Sequence, residues 1–293
     1  MPFAIYRTFV LEEKYGFNKT TPGLFVKDLI KGNIISLVLN VILTPLIFWI
    51  IHISGPDLVI NLAGITVIIA IIFSILMPTV IIPLFNTYSD LEDGELREAI
   101  IKETKKTDVK VSQIKVIDGS TRSSHSNAFV TGFWWFRKVV LYDTLIKDLS
   151  KEEICAIVNH ELGHVVHKHS VYSMVEGCLS MLLMFYCFAY TLGNKAIIDS
   201  FGFSNKSNFL SLYLFGKLYL PVDYFQNFLA LYLSRRAEYQ ADAFAIKHGH
   251  AESLKTGLVN LYKRNKGPLV TDPLYSSCTN SHPTLIERLM AID

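Results

Sequence analysis

Two histidines and a glutamate lie close together near the middle of the sequence, in the pentapeptide His160-Glu161-Leu162-Gly163-His164. In a helix, His160 and His164 share one face, and this spacing lets two imidazoles bind one Zn²⁺. Glu161 would lie beside the first ligand, where a carboxylate can accept a proton from a zinc-bound water. The pattern indicates metal-assisted hydrolysis, although HExxH also occurs by chance on surface helices.

The residues around the pentapeptide predict the helix that this chemistry needs. Ser150 and Glu153 have the spacing of a capping box, which satisfies backbone N–H groups at a helix start. Apolar residues recur at helical spacing, at Ile154, Ile157, Val158, Leu162 and Val165. We therefore predict one helix that begins after Ser150 and carries both histidines.

A third metal ligand is expected elsewhere in the chain, because a catalytic zinc ion usually has three protein ligands and one open position. Glu238 is the best candidate, since it opens the ExxxD pattern that ends at Asp242, on a helix predicted from Arg235 to His248. The spacing puts both carboxylates on one face, Glu238 as ligand and Asp242 as the group that orients a ligand imidazole. Alternatively, both carboxylates are solvated and pair with Arg235 and Arg236.

Other histidines near the pentapeptide compete for the same role. The metzincin pattern is excluded, because it requires Gly at 167 and His at 170, whereas the chain has His167 and Ser170. His167 and His169 remain rival ligands, and His167 lies near the helical face of His160. Local histidine clusters are, however, more often surface groups or partners of ligands.

The composition indicates a membrane protein. Of the 293 residues 51% are hydrophobic, and the mean hydropathy is +0.33, which is too apolar for an ordinary soluble domain of this size. Four stretches are long enough to cross a bilayer core of about 30 Å as helices, at 33–53, 58–85, 171–192 and 209–233. Each could instead be a buried helix of a large soluble protein. The net charge of +2 gives no indication of nucleic-acid binding, so the expected partner is the lipid bilayer.

Lysine and arginine are distributed unevenly around these stretches. They are frequent before the first span and after the second, whereas the turn at 52–57 has neither. By the positive-inside rule, both termini and the pentapeptide face the cytosol. Since two crossings separate His164 from Glu238, the predicted ligands emerge on the same side of the membrane.

The chain is expected to alternate between cytosolic and membrane segments. The predicted divisions are a cytosolic N-terminal segment at 1–30, a transmembrane helix pair at 31–85, a catalytic segment at 86–170, a second transmembrane pair at 171–233 and cytosolic C-terminal helices at 234–293. The predicted fold is therefore mostly α, a multi-pass membrane protein with about four transmembrane helices and a cytosol-facing, zincin-like catalytic domain that contains a small β-hairpin or sheet.

Within the catalytic segment, polar and apolar residues alternate in short runs. We predict a helix at 91–107 and a strand at 113–118. A β-hairpin follows, with arms at 126–131 and 138–142 and an aromatic tip at 132–136. An extended peptide could add to the first arm as a further strand.

Five motifs, in order along the chain, resemble those of a known family. They are FVLEEKYGFNKT at 9–20, SHSNAF at 124–129, the pentapeptide at 160–164, SRRAEYQADAFA at 234–245 and SHPTLIERL at 281–289. Together they resemble the type I CaaX prenyl proteases, which are integral-membrane zinc endopeptidases of the endoplasmic reticulum and inner nuclear membrane. The resemblance covers essentially the whole chain. Five ordered motifs are far more specific than HExxH alone.

The resemblance implies one Zn²⁺ per chain, with His160, His164 and Glu238 as its ligands and Glu161 as the catalytic acid and base. The expected substrates are prenylated CaaX proteins, from which the family removes the three C-terminal residues. Family members generally have seven membrane helices, and this chain begins just before the EEKYGFN segment with four. It is thus expected to lack the N-terminal membrane helices.

Four further residues receive roles from the resemblance. Asn127 and His282 are implied as substrate or transition-state contacts, and Asp242 and Arg288 as supporting groups. Asn127 could hold the substrate backbone at the start of the first hairpin arm, and His282 could stabilise the oxyanion. An Asn at a strand start and a His before Pro are, however, both common in turns.

Two other functions remain open at this point. The bacterial heat-shock membrane proteases share HExxH and ExxxD and have four spans, but the EEKYGFN segment favours the CaaX family. A non-catalytic membrane scaffold with a structural zinc ion is the other alternative. Glu161 argues against it, because a structural site has no use for a base beside its ligand.

Overall fold

The computed structural model of the chain describes residues 1–132, 136–204, 207–268 and 270–293. Most of these residues are helical. The helices are, in chain order, α1 (Pro2–Tyr6), α2 (Pro22–Ser54), α3 (Leu58–Leu76), α4 (Ile82–Phe85), α5 (Glu95–Lys106), α6 (Asp143–Asp148), α7 (Lys151–Val166), α8 (His169–Thr191), α9 (Lys195–Ser200), α10 (Asn208–Lys247), α11 (Ala251–Arg264), α12 (Pro273–Thr279) and α13 (Leu285–Ile292). The strands are β1 (Tyr88–Asp90), β2 (Gln113–Ile117), β3 (Ala128–Thr131) and β4 (Lys138–Tyr142). The predicted mostly α fold with a small sheet is confirmed.

Two helical stretches are long and apolar enough to cross a membrane, Pro22–Phe85 and His169–Thr191. The first, of 64 residues, turns at Gly55–Asp57 and contains α2 before the turn and α3 and α4 after it. Large apolar side chains along these helices are exposed, as at Trp49, Ile60 and Leu179. Lipid can cover such surfaces, whereas a soluble protein rarely leaves so many uncovered.

The fourth predicted span and the predicted ligand helix form one continuous helix, α10, of 40 residues. The expected break near Ser234 is absent from it, because no glycine or proline interrupts the sequence there. Among the described residues, α10 is less apolar than the two stretches that could cross a membrane. Lys217 and Asp223, both in the predicted span, lower its hydropathy. A fourth crossing at 209–233 therefore stays a prediction, although this helix packs along α8.

The catalytic segment contains a four-stranded sheet in the order β1-β2-β4-β3. The predicted hairpin is present, since β3 and β4 pair in antiparallel fashion from Ala128 opposite Leu141 to Thr131 opposite Lys138. Part of its predicted aromatic tip, 133–135, lies outside the described residues. β2 pairs with β4 in parallel, and β1, which was not predicted, pairs with β2. Among the described strands, β3 is therefore an edge strand.

Helix α7 lies between two apolar clusters. Its Ile154, Val158 and Leu162 belong to a cluster that also includes buried residues of the sheet and of α5. Ala156 packs on another side with residues of α10, α11 and α13. The predicted capping box is present, because the Ser150 hydroxyl accepts the Glu153 N–H and the Glu153 carboxylate accepts the Ser150 N–H. Packing on several sides fixes the position of this helix.

The segment before α2 is joined to the residues that lead into β3. Asn18 forms an isolated β-bridge with Ser123, and the Phe17 ring stacks on His125 with 4.0 Å between ring centroids. Arg122 pairs with Asp28 of α2 through its Nε at 2.8 Å and its Nη2 at 3.1 Å. These contacts join the N-terminal end of α2 and the segment before it to the residues that lead into β3.

Candidate metal centre

α7 and α10 approach each other closely at Gly163 of the pentapeptide. A Cβ atom on this glycine would lie 3.0 Å from Ala241 Cα and 3.1 Å from Phe244 Cβ. The missing side chain therefore lets the two helix backbones come together at the level of His160 and His164. The ExxxD pattern of α10 faces the HExxH pattern of α7 across this contact.

The three predicted metal ligands converge there. The Nε2 atoms of His160 and His164 are 3.2 Å apart, and Glu238 places its carboxylate oxygens 3.3 Å from His164 Nε2 and 3.5 Å from His160 Nε2. Two ligands at about 2.0–2.1 Å from a tetrahedral zinc ion are about 3.3–3.4 Å apart. Glu238 and His160 are also buried, with 4% and 6% exposure. The donor types, their spacing and their burial fit a tetrahedral metal site.

His160 is oriented from behind by Asp242. Its Nδ1 lies 2.8 Å from Asp242 Oδ1, so Nδ1–H donates to the carboxylate and leaves Nε2 facing the centre. Arg288 of α13 binds the same carboxylate with two nitrogens, Nε at 2.8 Å and Nη2 at 2.6 Å. Asp242 is only 2% exposed, which excludes the alternative in which the ExxxD carboxylates form a solvated face.

His164 has a different partner, which sequence reasoning treated as a rival ligand. His164 Nδ1 lies 2.9 Å from His169 Nδ1, and His169 Nε2 lies 2.9 Å from the amide oxygen of Gln240. Among the described residues, the side chains close enough to share a metal ion are His160, His164 and Glu238. Neither His169 nor the exposed His167 belongs to this group. Gln240 was overlooked, although it lies between the two carboxylates of ExxxD.

The charges around the centre favour a bound cation. Burial would raise the pKa of Glu238, but the close imidazoles of His160, His164 and His282 hold that pKa well below the usual range. Burial would lower the pKa of His160, whereas hydrogen bonds to Asp242 and Glu238 raise it to about 9, so a bound metal ion would replace a proton on its Nε2. Glu238 is thus ionised, and a cation placed between the imidazoles would interact with a full negative charge.

Glu161 has the opposite perturbation. Burial raises the pKa of its carboxyl above the usual range, and the neighbouring imidazoles of His160 and His164 oppose this only in part. A carboxyl whose pKa is shifted toward neutrality can both accept and return a proton. This property suits the acid and base role that the sequence predicts for it.

The predicted substrate contacts lie at different distances from the centre. His282 Nδ1 is 3.1 Å from Glu238, and its side chain is 66% exposed, so it meets the centre on an open side. The hydrogen bond to Glu238 raises the pKa of His282. Asn127 is exposed just before β3, and its Oδ1 accepts the N–H of Ala128. Within the described residues, no hydrogen bond joins Asn127 to the metal ligands.

The segment that carries His282 is fixed to α10 by Arg235. Its Nη1 donates to Ser276 Oγ of α12 at 2.9 Å, and its Nη2 binds Glu287 of α13 at 2.8 Å. These two helices flank His282 on either side. The alternative prediction that Arg235 pairs with the ExxxD carboxylates is therefore wrong. The actual partners of Arg235 lie about 40–50 residues away in the sequence, so residue spacing could not predict them.

The whole chain matches known families and proteins. Residues 90–293 match the family described as Peptidase family M48, and residues 1–87 match the family described as CAAX prenyl protease N-terminal, five membrane helices. A CAAX prenyl protease 1 homolog of Arabidopsis thaliana is 40% identical over all of this chain and 69% of its own length. CAAX prenyl protease 1 of Saccharomyces cerevisiae is 35% identical, and 68% of its length is covered.

The fold matches a solved structure over its full length. The crystal structure of S. mikatae Ste24p superposes with a TM-score of 0.90 at 35% identity, covering 100% of this chain and 72% of the other. Together with the match to a family of membrane helices, this confirms the predicted membrane protein. The agreement extends over both the long apolar helices and the segments that hold the metal centre.

Proposed function

Because the chain belongs to peptidase family M48, and its N-terminal part to the CAAX prenyl protease family, we propose that it is a zinc-dependent endopeptidase that removes the C-terminal tripeptide of prenylated CaaX proteins. The observation that supports this most is the set of donors from α7 and α10. The distances between them are those of a tetrahedral metal site, and Glu161 lies next to a ligand. The relatives that match over the whole of this chain are named CAAX prenyl protease 1 or a homolog of it.

His160, His164 and Glu238 would hold the metal ion. When bound, Zn²⁺ would lower the pKa of a water molecule and polarise the carbonyl of the scissile peptide bond. Two imidazoles and one carboxylate are a donor set that leaves a catalytic zinc ion one open position. Asp242 and Arg288 keep the His160 imidazole in the required orientation and tautomer.

Glu161 moves the proton during the reaction. Its carboxylate accepts a proton from the attacking water and returns it to the leaving amine, so that one group serves as base and then as acid. Proton transfer by a positioned side chain contributes about 10²–10⁴-fold to a rate.

The substrate peptide would bind in an extended conformation along β3. This strand is an edge of the described sheet and lies against α7, so its free side can pair with a peptide close to the metal ligands. Asn127, exposed at the start of the strand, would hold the substrate backbone. His282, exposed beside Glu238, would donate a hydrogen bond to the developing oxyanion.

The proposed location is the endoplasmic reticulum membrane, or the inner nuclear membrane, with the centre facing the cytosol. Its support is the excess of lysine and arginine in the segments that adjoin the metal centre. In sealed microsomes, a C-terminal epitope should be cleaved by added protease without detergent. An epitope that is protected until detergent is added would contradict this orientation.

The substrate class can be tested with matched peptides. The full chain, purified in detergent with Zn²⁺, should release the C-terminal tripeptide from a farnesylated CaaX peptide, as identified by mass spectrometry. The same peptide without the farnesyl group should be cleaved far more slowly. Equal cleavage of both peptides, or of an unfolded membrane protein instead, would favour the heat-shock type of protease. The absence of all cleavage by a zinc-loaded chain would favour a scaffold.

A further inference from the structure

The junction between α7 and α8 brings a second histidine onto a metal ligand. In a continuous helix, residues five apart point about 140° away from each other, so His164 and His169 would not meet. The junction interrupts the helix, because Lys168 has a φ of 57°, in the left-handed region. The two imidazoles are consequently 5.0 Å apart between centroids, and their Nδ1 atoms are 2.9 Å apart.

The hydrogen bonds that link His164, His169 and Gln240 all have their donors and acceptors in one order. His169 Nε2 faces the amide oxygen of Gln240, which can only accept, so the proton of a neutral His169 lies on Nε2. His169 Nδ1 is then an acceptor, and His164 must donate from its own Nδ1. Since a neutral imidazole has one N–H, His164 Nε2 retains its lone pair toward Glu238 and His160. The reverse order would put a proton on the nitrogen that must bind the metal.

We propose that His169 and Gln240 are positioning residues for the metal ligand His164, and that they fix its ring and its tautomer. They do for His164 what Asp242 does for His160. Both supports come from the same helix, because Gln240 and Asp242 are two residues apart on α10. One helix thus supplies the third ligand and orients the other two.

The burial of His169 agrees with this role rather than with that of a ligand. The residue is 8% exposed, and both of its ring nitrogens already have partners within hydrogen-bond distance. The exposed His167 next to it differs, since its ring stacks on His169 with 5.5 Å between centroids and makes no hydrogen bond in the described part of the chain. His167 therefore serves as a matched control of the same residue type.

The inference concerns metal binding and rests on the metal centre of the proposed function, not on its substrate. Loss of the groups that orient a metal-bound histidine usually lowers metal affinity by about 10–100-fold. Replacement His169→Phe keeps a ring of similar size without donor or acceptor. Replacement Gln240→Met removes the acceptor at nearly the same length, whereas Gln240→Glu keeps an acceptor that cannot donate.

The experiment measures the zinc affinity of the full chain in detergent, by competition with a chromophoric chelator after metal removal. We expect His169→Phe and Gln240→Met to weaken zinc binding by about 10–100-fold, with Gln240→Glu and His167→Phe within about threefold of the parent. Unchanged affinity in His169→Phe and Gln240→Met, or equal loss in the Met and Glu variants, would overturn the proposal. If His169→Phe does not fold, the comparison of zinc affinity between Gln240→Met and Gln240→Glu still tests the proposal.

A separate variant tells this failure from failure of the centre itself. Glu238→Gln removes the charge of a proposed ligand and should lower zinc affinity more than any variant at 169 or 240. If Glu238→Gln binds zinc like the parent, the metal centre is wrong. If Glu238→Gln loses zinc and His169→Phe does not, the centre stands and the positioning role is refuted.

Discussion

The close approach of α7 and α10 at Gly163 predicts a specific effect of Gly163→Ala. The added Cβ would lie 3.0 Å from Ala241 Cα, which belongs to the backbone and cannot rotate away. Carbon atoms in ordinary contact are about 3.5–4.0 Å apart, so the helices would have to separate by roughly 0.5–1 Å. Overpacking of this kind typically costs about 1–3 kcal/mol.

The same movement would disturb the metal centre. Ligand distances in a working metal site lie within about 0.2 Å of their standard values, which is less than the required shift. His160 and His164 lie on one helix and Glu238 on the other, so a separation of the helices lengthens the distances from both imidazoles to Glu238. We therefore expect Gly163→Ala to lower both the free energy of unfolding without metal and the affinity for zinc.

Gly257 of α11 supplies the control. It also faces α7, but a Cβ there would meet Glu153 Cβ at 3.4 Å and Ile157 Cδ1 at 3.7 Å, which leaves room for it. Because alanine favours helix over glycine by about 0.5–1 kcal/mol, Gly257→Ala should be neutral or stabilising. The assay is thermal unfolding of each metal-free variant in detergent, followed by zinc titration. A Gly163→Ala chain as stable and as tight in zinc binding as Gly257→Ala would refute the reasoning.

Three further predictions concern residues around the centre. Arg235→Gln removes the contacts that hold α12 and α13 on either side of His282, so it should lower kcat/KM on the farnesylated peptide by roughly 10–100-fold. Arg236→Gln, at an exposed neighbouring position, should leave kcat/KM unchanged. Equal activities of the two variants would contradict this prediction. Burial raises the pKa of Glu103, but hydrogen bonds from three side chains outweigh the effect of burial and lower the pKa below its usual value. The ionised carboxylate therefore stabilises the fold at neutral pH, and this stabilisation disappears as pH falls below about 4. The difference in Tm between the parent and Glu103→Gln should therefore be larger at pH 7 than at about pH 3, and an unchanged difference would refute this prediction. Lys168→Gly should raise stability by about 0.5–1 kcal/mol in chemical unfolding because glycine tolerates the left-handed φ, and Lys168→Val should lower it; identical effects would contradict the conformation.

The sequence predicted those parts of the fold that depend on local signals. The capping box of Ser150 and Glu153 located the start of α7, and the spacing of HExxH and ExxxD placed the ligand candidates on single helical faces. The arms of the hairpin were also predicted to within two residues. Each of these features depends on residues a few positions apart, where the period of a helix or strand determines which side chains lie together.

Features that depend on distant residues or on a single unusual dihedral angle were not predicted from spacing. β1 has three residues, too few to show an alternating pattern, and it forms only because β2 is beside it. The contact between His164 and His169 depends on the left-handed Lys168, which a helical pattern does not reveal. Arg288 reaches Asp242 across 46 positions, and its supporting role came from the family resemblance alone.

The continuity of α10 was missed for a different reason. The change from apolar to charged residues near Arg235 indicated the end of a membrane span, and it was interpreted as the end of a helix. Hydropathy indicates the solvent around a helix and not where the helix ends. α10 continues through Gly216 and Pro221 and ends at Lys247, two residues before the left-handed Gly249. As a result, the third ligand lies on the same rigid element as the fourth predicted span.

The most direct test of the proposed chemistry compares the parent chain with Glu161→Gln on a farnesylated CaaX peptide, with bound zinc measured in the same samples. Glu161 is not among the proposed ligands, so the variant should retain one zinc ion per chain. Its rate of tripeptide release should nevertheless fall by about 10²–10⁴-fold, because the proton acceptor is gone. A zinc-loaded Glu161→Gln chain that releases the tripeptide at nearly the parental rate would contradict the account.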